Sequence, residues 1–264
     1  MKPLVSKLLG CVWITVAACG LLAACGGGSD DDNFDDRADL ADPKVRFVHA
    51  VPGGPSVTLQ RNGTPEASVT NVDYKFGSQY FNVGSETYTL SVRTATGNAE
   101  VATAVLDARR GNRYTFIAVP ASGAPGAQLL RIDDPYNKSL ASDDARVRVV
   151  HAAPNAGTFD TYITAVGASI AAVSPQLGSI SHRQAGPASG LDSIDIEGGN
   201  YQIRFTPAGS KTPFFSANVS VPANGDWLLV VLPEDASPLV PNSVRVLLVR
   251  SDDSSDATDE IIGS

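Results

Sequence analysis

The chain has 264 residues, of which 43% are hydrophobic and 18% are charged. This composition supplies enough apolar side chains for hydrophobic cores and too little charge for a wholly disordered chain. The formal net charge is −8, whereas binding to a phosphate backbone requires a basic face. We therefore expect one large or two small folded domains and no nucleic-acid partner.

Residues 1–24 have the layout of an export signal. Lys2 and Lys7 precede an uncharged run at 8–24, which is shorter than the ~20 residues of a membrane-spanning helix. Residues 22–25, Leu-Ala-Ala-Cys, resemble the lipobox of bacterial lipoproteins. The resemblance implies that the signal peptide is cleaved before Cys25 and that this cysteine is acylated, which would anchor the mature protein in a membrane.

The residue after the lipobox bears on localisation. In the lipoprotein class, an aspartate at this position commonly accompanies retention in the inner membrane, and this chain has Gly26. We therefore expect a lipid-anchored protein of the bacterial cell envelope, at the outer membrane. Cleavage would leave Cys25 as the one cysteine of the mature chain, so no intramolecular disulfide is expected and stability must come from hydrophobic cores.

Two acidic segments flank the remaining sequence, at 25–43 and 252–264. Neither has a periodic apolar pattern, and like charges repel one another into extended conformations. Both also lack the spacing of an EF-hand calcium loop. The sequence therefore predicts a disordered acidic linker that begins at the lipidated cysteine and a disordered acidic tail.

The segment between these tails contains an internal repeat. Residues 45–52, Val-Arg-Phe-Val-His-Ala-Val-Pro, return as 147–154, Val-Arg-Val-Val-His-Ala-Ala-Pro. Such self-similarity indicates two copies of one structural unit. We assign the copies to residues 44–135 and 145–251.

Each copy consists of short segments of alternating or β-branched character, separated by turn residues such as Asn62-Gly63 and Asn224-Gly225. No segment after residue 43 keeps a helical apolar period for long. Several short strands in about 100 residues are typical of immunoglobulin-like folds. The predicted fold class is therefore all-β, with two tandem immunoglobulin-like antiparallel β-sandwich domains.

Residues 145–154, Ala-Arg-Val-Arg-Val-Val-His-Ala-Ala-Pro, followed by Phe-Asp-Thr-Tyr-Ile at 159–163, resemble the bacterial family catalogued as domain of unknown function 4397. The first copy opens with the same pattern. The resemblance implies an exported, β-rich module of the cell envelope whose activity is unassigned. The aspartate of the family motif is Asp160 in the second copy but Thr58 in the first, so a site based on it would not be shared.

Histidines are the clearest candidates for chemistry. His49 and His151 lie on the same strand face as the neighbouring apolar residues, so we expect each imidazole to satisfy buried backbone groups and hold the following turn. The remaining histidine is His182, and no histidine pair has the spacing of a zinc site. We predict no metal site and no cofactor.

The sequence contains no Gly-x-Ser-x-Gly, phosphate-binding loop or His-Glu-x-x-His motif. The alternating Asp192, Asp195 and Glu197 indicate a solvated strand face. We therefore predict a non-catalytic binding module for an envelope protein or polysaccharide. Two alternatives stay open: a hydrolase assembled only in space from Asp160 with His151 or His182, and a purely structural spacer.

Aromatic residues supply the candidate binding surface. One short segment of the first copy contains a cluster that the second copy lacks: Tyr74, Phe76, Tyr80 and Phe81. If these rings are exposed, they would form a platform for a sugar or a peptide. If Tyr74 and Phe76 lie on one strand face, their rings would instead fill the core. The arginines at 109, 110 and 113 are interpreted as a solvated basic turn.

Overall fold

A computed structural model describes residues 41–121, 127–137, 139, 142–234, 240–251 and 257–263, all within one compact unit, Asp31–Ser264. The predicted signal peptide, Cys25 and most of the acidic linker lie outside these residues. Within the described ranges, no helix has the length and apolar character needed to cross a membrane.

The first sandwich is built from two sheets with the strand orders β4-β1-β7-β8 and β3-β2-β5-β6. Its strands are β1 (Lys44–His49), β2 (Val57–Arg61), β3 (Thr64–Pro65), β4 (Phe81–Asn82), β5 (Thr87–Thr94), β6 (Glu100–Asp107), β7 (Asn112–Pro120) and β8 (Ala127–Pro135), with a short 3-10 helix at Ala67–Val69. The predicted Asn62-Gly63 hairpin joins β2 to β3, and both residues have the positive φ angles, 51° and 81°, that such a turn requires.

The second sandwich repeats this plan. One sheet has the order β11-β10-β14-β15, and the other has the order β12-β9-β16-β17-β18, with β13 also paired to β9. The strands are β9 (Ala145–His151), β10 (Phe159–Ala165), β11 (Leu177–Ile180), β12 (Ala185–Gly186), β13 (Ile194–Ile196), β14 (Gly199–Pro207), β15 (Phe215–Val221), β16 (Asp226–Pro233), β17 (Val244–Arg250) and β18 (Thr258–Ile261). The prediction of an all-β sandwich fold is confirmed.

One strand pair in each sandwich differs from the predicted antiparallel arrangement. β1 pairs in parallel with β7, and β9 pairs in parallel with β16. Between the two partners, the chain crosses to the opposite sheet and returns, so both strands run in the same direction. The matching pairs also align the copies: Val45 lies opposite Tyr114, as Val147 lies opposite Trp227.

Each sandwich has its own hydrophobic core between its two sheets. The core of the first contains Phe47, Leu59 and Phe116, and that of the second contains a group of phenylalanines around Phe205. Burial of an aliphatic or aromatic side chain of this size contributes about 1.5–3 kcal/mol. These cores therefore supply the stabilisation expected for a chain in which no disulfide is predicted.

A third apolar cluster joins the two sandwiches. β1 is buried on both faces because Val45 and Phe47 point into the core while the alternate residues point towards the second sandwich. The cluster combines residues from the outer faces of the β1 and β9 sheets, including Val48, Ile117, Val119 and Ile132 from the first and Val150, Leu228, Val230 and Leu247 from the second. The two sandwiches therefore pack together through these faces.

Buried ion pairs border this apolar cluster. Arg113 donates from Nη1 to Asp226 Oδ2 at 2.7 Å, which links β7 to β16. Asp134 accepts from Arg148 Nη2 at 2.9 Å and lies 3.3 Å from Arg146 Nη2. Burial alone would raise the pKa of Asp134, but the guanidinium groups of Arg146, Arg148 and Arg46 hold that pKa below its usual range. The carboxylate is therefore charged and part of the interface.

The prediction of a disordered tail over 252–264 is wrong for residues 258–261, which form the edge strand β18. This strand pairs with β17, placing Thr258 opposite Val249 and Ile261 opposite Val246. Ile261 packs against the second core, and Glu260 forms ion pairs with Lys75 and Arg245. The acidic composition of the tail concealed these contacts because they depend on partners distant in the sequence.

Candidate functional site

The two repeated histidines occupy equivalent turns. His49 Nε2 lies 3.1 Å from Pro55 O, and its Nδ1 accepts from Val51 N. His151 Nε2 lies 3.0 Å from Gly157 O, and its Nδ1 accepts from Ala153 N. This pattern requires a neutral imidazole that donates from Nε2. Each ring holds the turn after its strand, in agreement with the structural role expected from the sequence.

Burial favours the same protonation state. It lowers the pKa of His49 below its ordinary value, against the opposing effects of the Pro55 carbonyl and Asp73. The pKa of His151 is lowered to about 4, chiefly by burial and also by neighbouring His182, against the raising effect of hydrogen bonding to Gly157. Both histidines are therefore uncharged at neutral pH.

The candidate hydrolase residues only partly come together. The rings of His151 and His182 lie 5.6 Å apart between centroids. The Asp160 carboxylate instead accepts from Ser179 N at 2.7 Å and from Gly209 N at 2.8 Å. Asp160 thus links β11 to the turn at Gly209, in a hydrogen-bonded role in which neither histidine is a partner.

The four aromatic candidates are placed in different environments. Tyr74 packs against the cluster between the sandwiches, and its burial raises the pKa of its hydroxyl to about 12. Phe76 and Phe81 pack against the first core. Tyr80 lies beneath the guanidinium groups of Arg46 and Arg113, at 4.6 and 5.2 Å from its ring centroid. The rings are partly buried and do not share one exposed face. Tyr74 and Phe76 also do not fill the core together, because they pack against different clusters.

The predicted solvated turn of arginines is wrong for Arg113. Arg109 and Arg110 are exposed and pair with Asp107 and Asp42. Arg113 is buried, with its guanidinium 3.7 Å from the centroid of the Tyr136 ring. Its carboxylate partner, Asp226, belongs to the other copy, so local sequence did not reveal it.

The carboxylates predicted on a solvated strand face are also not uniformly solvated. The strand is short, Ile194–Ile196, and Asp192 precedes it. The Asp192 side chain is 32% exposed and pairs with the buried Arg146. Asp192 therefore forms an ion pair within the second sandwich, with an arginine that also contacts Asp134 of the first.

A groove of about 510 Å³ lies where β8 of the first sandwich meets the 176–189 region of the second. We call it the junction groove. Residues from both copies line it, and its polar side chains are Arg131, Gln176, Ser179, Arg183, Gln184 and Ser189. The sequence alone does not indicate this site, because its walls come from segments that meet only when the copies pack.

Hydrogen bonds across the junction hold these walls in place. Arg183 Nη1 donates to Gln128 Oε1 at 2.8 Å, and Asp133 N donates to Ser189 Oγ at 2.8 Å. Arg131 pairs with Asp133, at 2.9 Å between Nη2 and Oδ2. No carboxylate is among the described residues that line the groove, and the groove offers guanidinium, amide and hydroxyl groups to a ligand.

No group of three or more histidine, cysteine, aspartate or glutamate side chains in the described ranges is arranged to hold a metal ion. The histidine nitrogens that a metal would need are instead used at the two turns by backbone groups, for His49 and His151 alike. The groups that the groove presents are suited to hydrogen bonding.

Residues 43–162 match the family model described as "Domain of unknown function (DUF4397)". This segment of the chain belongs to that family, as its motifs indicated. The match covers the first sandwich and extends through β9 into β10 of the second. No curated protein is significantly similar to the chain.

Among solved structures, the chain is similar to a family CBM26 module, CBMbc from Eubacterium rectale Amy13K, whose structure was determined in complex with maltoheptaose. The identity is 11%, the likeness covers 82% of this chain and 100% of that chain, and the TM-score is 0.23. A TM-score this low supports no inference about the ligand.

Proposed function

We propose that the protein is a lipid-anchored, non-catalytic binding module of the bacterial cell envelope and that the junction groove is its ligand site. The groove itself carries this proposal, because packing of the two sandwiches creates a concave, polar surface that neither copy has alone. Ligand pockets are typically concave, with a small number of polar groups that fix orientation.

The chemistry of the groove favours an acidic ligand. Arg183 is bonded to a neutral amide, that of Gln128, whereas Arg131 in the same groove is already paired with Asp133. Guanidinium groups bind carboxylates with directional, charge-assisted hydrogen bonds. The neighbouring amides and hydroxyls suit the hydroxyl groups of a sugar. The ligand we propose is therefore an acidic envelope polysaccharide, with a segment of an envelope protein as the rival that the experiment distinguishes.

Calorimetric titration of the mature chain carrying Cys25→Ser tests the ligand. We expect an acidic polysaccharide to bind at least about tenfold more tightly than a neutral glucan of the same length. Arg183→Gln should remove this preference, whereas Arg110→Gln, an exposed arginine outside the groove, should leave it unchanged. Equal affinity for the two polymers, or binding only of an acidic peptide, would contradict the polysaccharide assignment.

The lipid anchor rests on residues 22–25 and is tested separately. Growth with an alkyne-labelled fatty acid should label the wild-type protein but not Cys25→Ala, because acylation requires that thiol. Cys19→Ala is the matched control, since Cys19 belongs to the predicted signal peptide. Equal labelling of Cys25→Ala and Cys19→Ala would argue against acylation at Cys25. Protease treatment of intact cells would then show whether the wild-type protein faces outward.

A further inference from the structure

A second cavity lies at the end of the first sandwich, between its two sheets, and has a volume of about 350 Å³. It shares no lining residue with the junction groove. The loop at 51–55 forms its rim, and its walls are mostly apolar: His49, Val57, Val92, Val101, Ala118 and Ala127. We call it the His49 cavity.

The strand registers identify the equivalent positions in the second sandwich. The repeat aligns Val57 with Phe159 and Leu59 with Thr161. Leu59 pairs with Val92, and Thr161 pairs with Phe205, so Val92 corresponds to Phe205. Val92 lies opposite Ala102 as Phe205 lies opposite Phe215; the β5–β6 register shifts immediately after Val92, so Val101 has no paired equivalent, and Phe214 directly precedes Phe215 at the same end of the second sandwich. In the histidine-bearing sheets, Ala118 and Ala127 correspond by the same registers to Val231 and Val244.

Four wall positions aligned by pairing have larger side chains in the second sandwich, although the rim residue Val51 has the smaller Ala153 as its equivalent, and phenyl rings pack in the equivalent space there. The ring centroids of Phe159 and Phe205 lie 5.0 Å apart, and those of Phe159 and Phe214 lie 6.1 Å apart. The Phe159 ring also contacts the imidazole of His151, with centroids 4.7 Å apart. In the second sandwich, phenylalanine side chains therefore occupy the space beside the repeated histidine.

We propose that the His49 cavity binds an uncharged aromatic ring, which takes the place that phenylalanine side chains occupy in the second sandwich. Both nitrogens of His49 are already used by the Pro55 carbonyl and the Val51 amide. The imidazole therefore offers the ring a van der Waals contact rather than a hydrogen bond, as His151 does to Phe159, whose ring is tilted by 40° to it. Recognition depends on shape and on the removal of apolar surface from water.

An aromatic ring could come from a free small molecule or from the side chain of a peptide. Benzyl alcohol represents the first source and N-acetylphenylalaninamide the second. Hexanol is the aliphatic comparison, since it tests whether the cavity prefers a flat ring to any apolar group of similar size. Each compound would be titrated into the mature chain carrying Cys25→Ser and followed by methyl-resolved NMR.

We expect one or both aromatic probes to shift the methyl signals of Val57, Val92 and Ala118, and to give intermolecular contacts to the His49 ring. The equivalent methyl groups of Val231 and Val244 should not shift. Binding of only the amide would identify a peptide side chain as the source, and binding of only benzyl alcohol would identify a free small molecule.

Variants keep the proposal testable. Val92→Phe supplies the ring that the second sandwich has and should abolish binding, and Ala118→Val should weaken it as a milder change of the same kind. Val105→Phe, at a position 62% exposed on β6, adds the same ring outside the cavity and should leave binding unchanged. Absence of shifts with both aromatic probes, equal binding of hexanol, or unaltered binding by folded Val92→Phe would overturn the proposal.

Discussion

The two sandwiches differ in their packing at the end where their histidines lie. Both place a neutral imidazole against the following turn, and both pair their first strand in parallel with a later one. The second sandwich fills the adjoining space with phenylalanines, whereas the first has valines and alanines around a cavity. The strand order is thus kept while the packing of the core changes, and the smaller side chains leave room for a ligand.

The largest expected effect comes from the contact that both sandwiches share. Asp134→Asn would leave Arg146 and Arg148 buried without their common carboxylate, and loss of one partner from a buried ion pair costs about 3–5 kcal/mol. Urea unfolding followed by Trp227 fluorescence should show this loss in the second sandwich. Amide hydrogen exchange should show the same loss of stability in the first sandwich.

Asp107→Asn is the control for this substitution, because its pair with Arg109 is exposed. It should leave the unfolding midpoint unchanged. A similar midpoint for Asp134→Asn would mean that the ion pairs do not hold the sandwiches together.

The next largest effect should be a loss of stability in acid that depends on His151. The pKa of His151 is about 4 in the folded protein against an ordinary 6.5, so below pH 6.5 the unfolded chain binds a proton that the folded chain refuses. The contribution of this group to stability is complete above pH 6.5 and falls by up to about 3 kcal/mol as pH decreases towards 4. Stability measured by urea unfolding across this range should fall less steeply for His151→Asn. An unchanged slope would contradict the buried neutral state.

Opening the second core should reproduce the cavity of the first. Phe205→Val replaces a buried phenyl ring by the residue found at the equivalent position, and we expect a loss of about 2 kcal/mol in the free energy of unfolding. The same variant should acquire methyl shifts at Val231 with benzyl alcohol. A stability equal to that of the wild type would show that the ring does not fill the space as described.

Filling the first core should have the smallest effect on stability. Val92→Phe places the new ring in a volume that is already open, so we expect a change within about 1 kcal/mol, in contrast to the 1–3 kcal/mol typical of overpacking. Thermal unfolding of this variant beside Val105→Phe provides the measurement. A loss well above that range would mean that the cavity has no room for a phenyl ring.

Much of the fold could be predicted because its signals are local. Alternating apolar residues marked strands such as β5, and the Asn62-Gly63 turn marked a hairpin. The repeated Val-Arg-x-Val-His-Ala motif marked the two copies. The parallel pairs were not predicted, because they join strands separated by most of a sandwich.

The candidate sites were harder to predict because they depend on packing. Arg113 was interpreted as solvated, since its partner Asp226 lies in the other copy. Tyr74 and Phe76 were grouped because they are close in sequence. In the structure, Tyr74 packs against the cluster between the sandwiches, whereas Phe76 packs against the first core. The signal that could have revealed the His49 cavity was present in the repeat itself, as the small residues at Val57 and Val92 opposite Phe159 and Phe205.

A crystal structure of the mature chain soaked with iodobenzyl alcohol tests the central comparison most directly, because the anomalous scattering of iodine locates the ring. We expect iodine beside His49, between Val57 and Val92, and none at the equivalent place beside His151. Iodine beside His151, or a His49 cavity without iodine in crystals that have taken up the compound elsewhere, would contradict it.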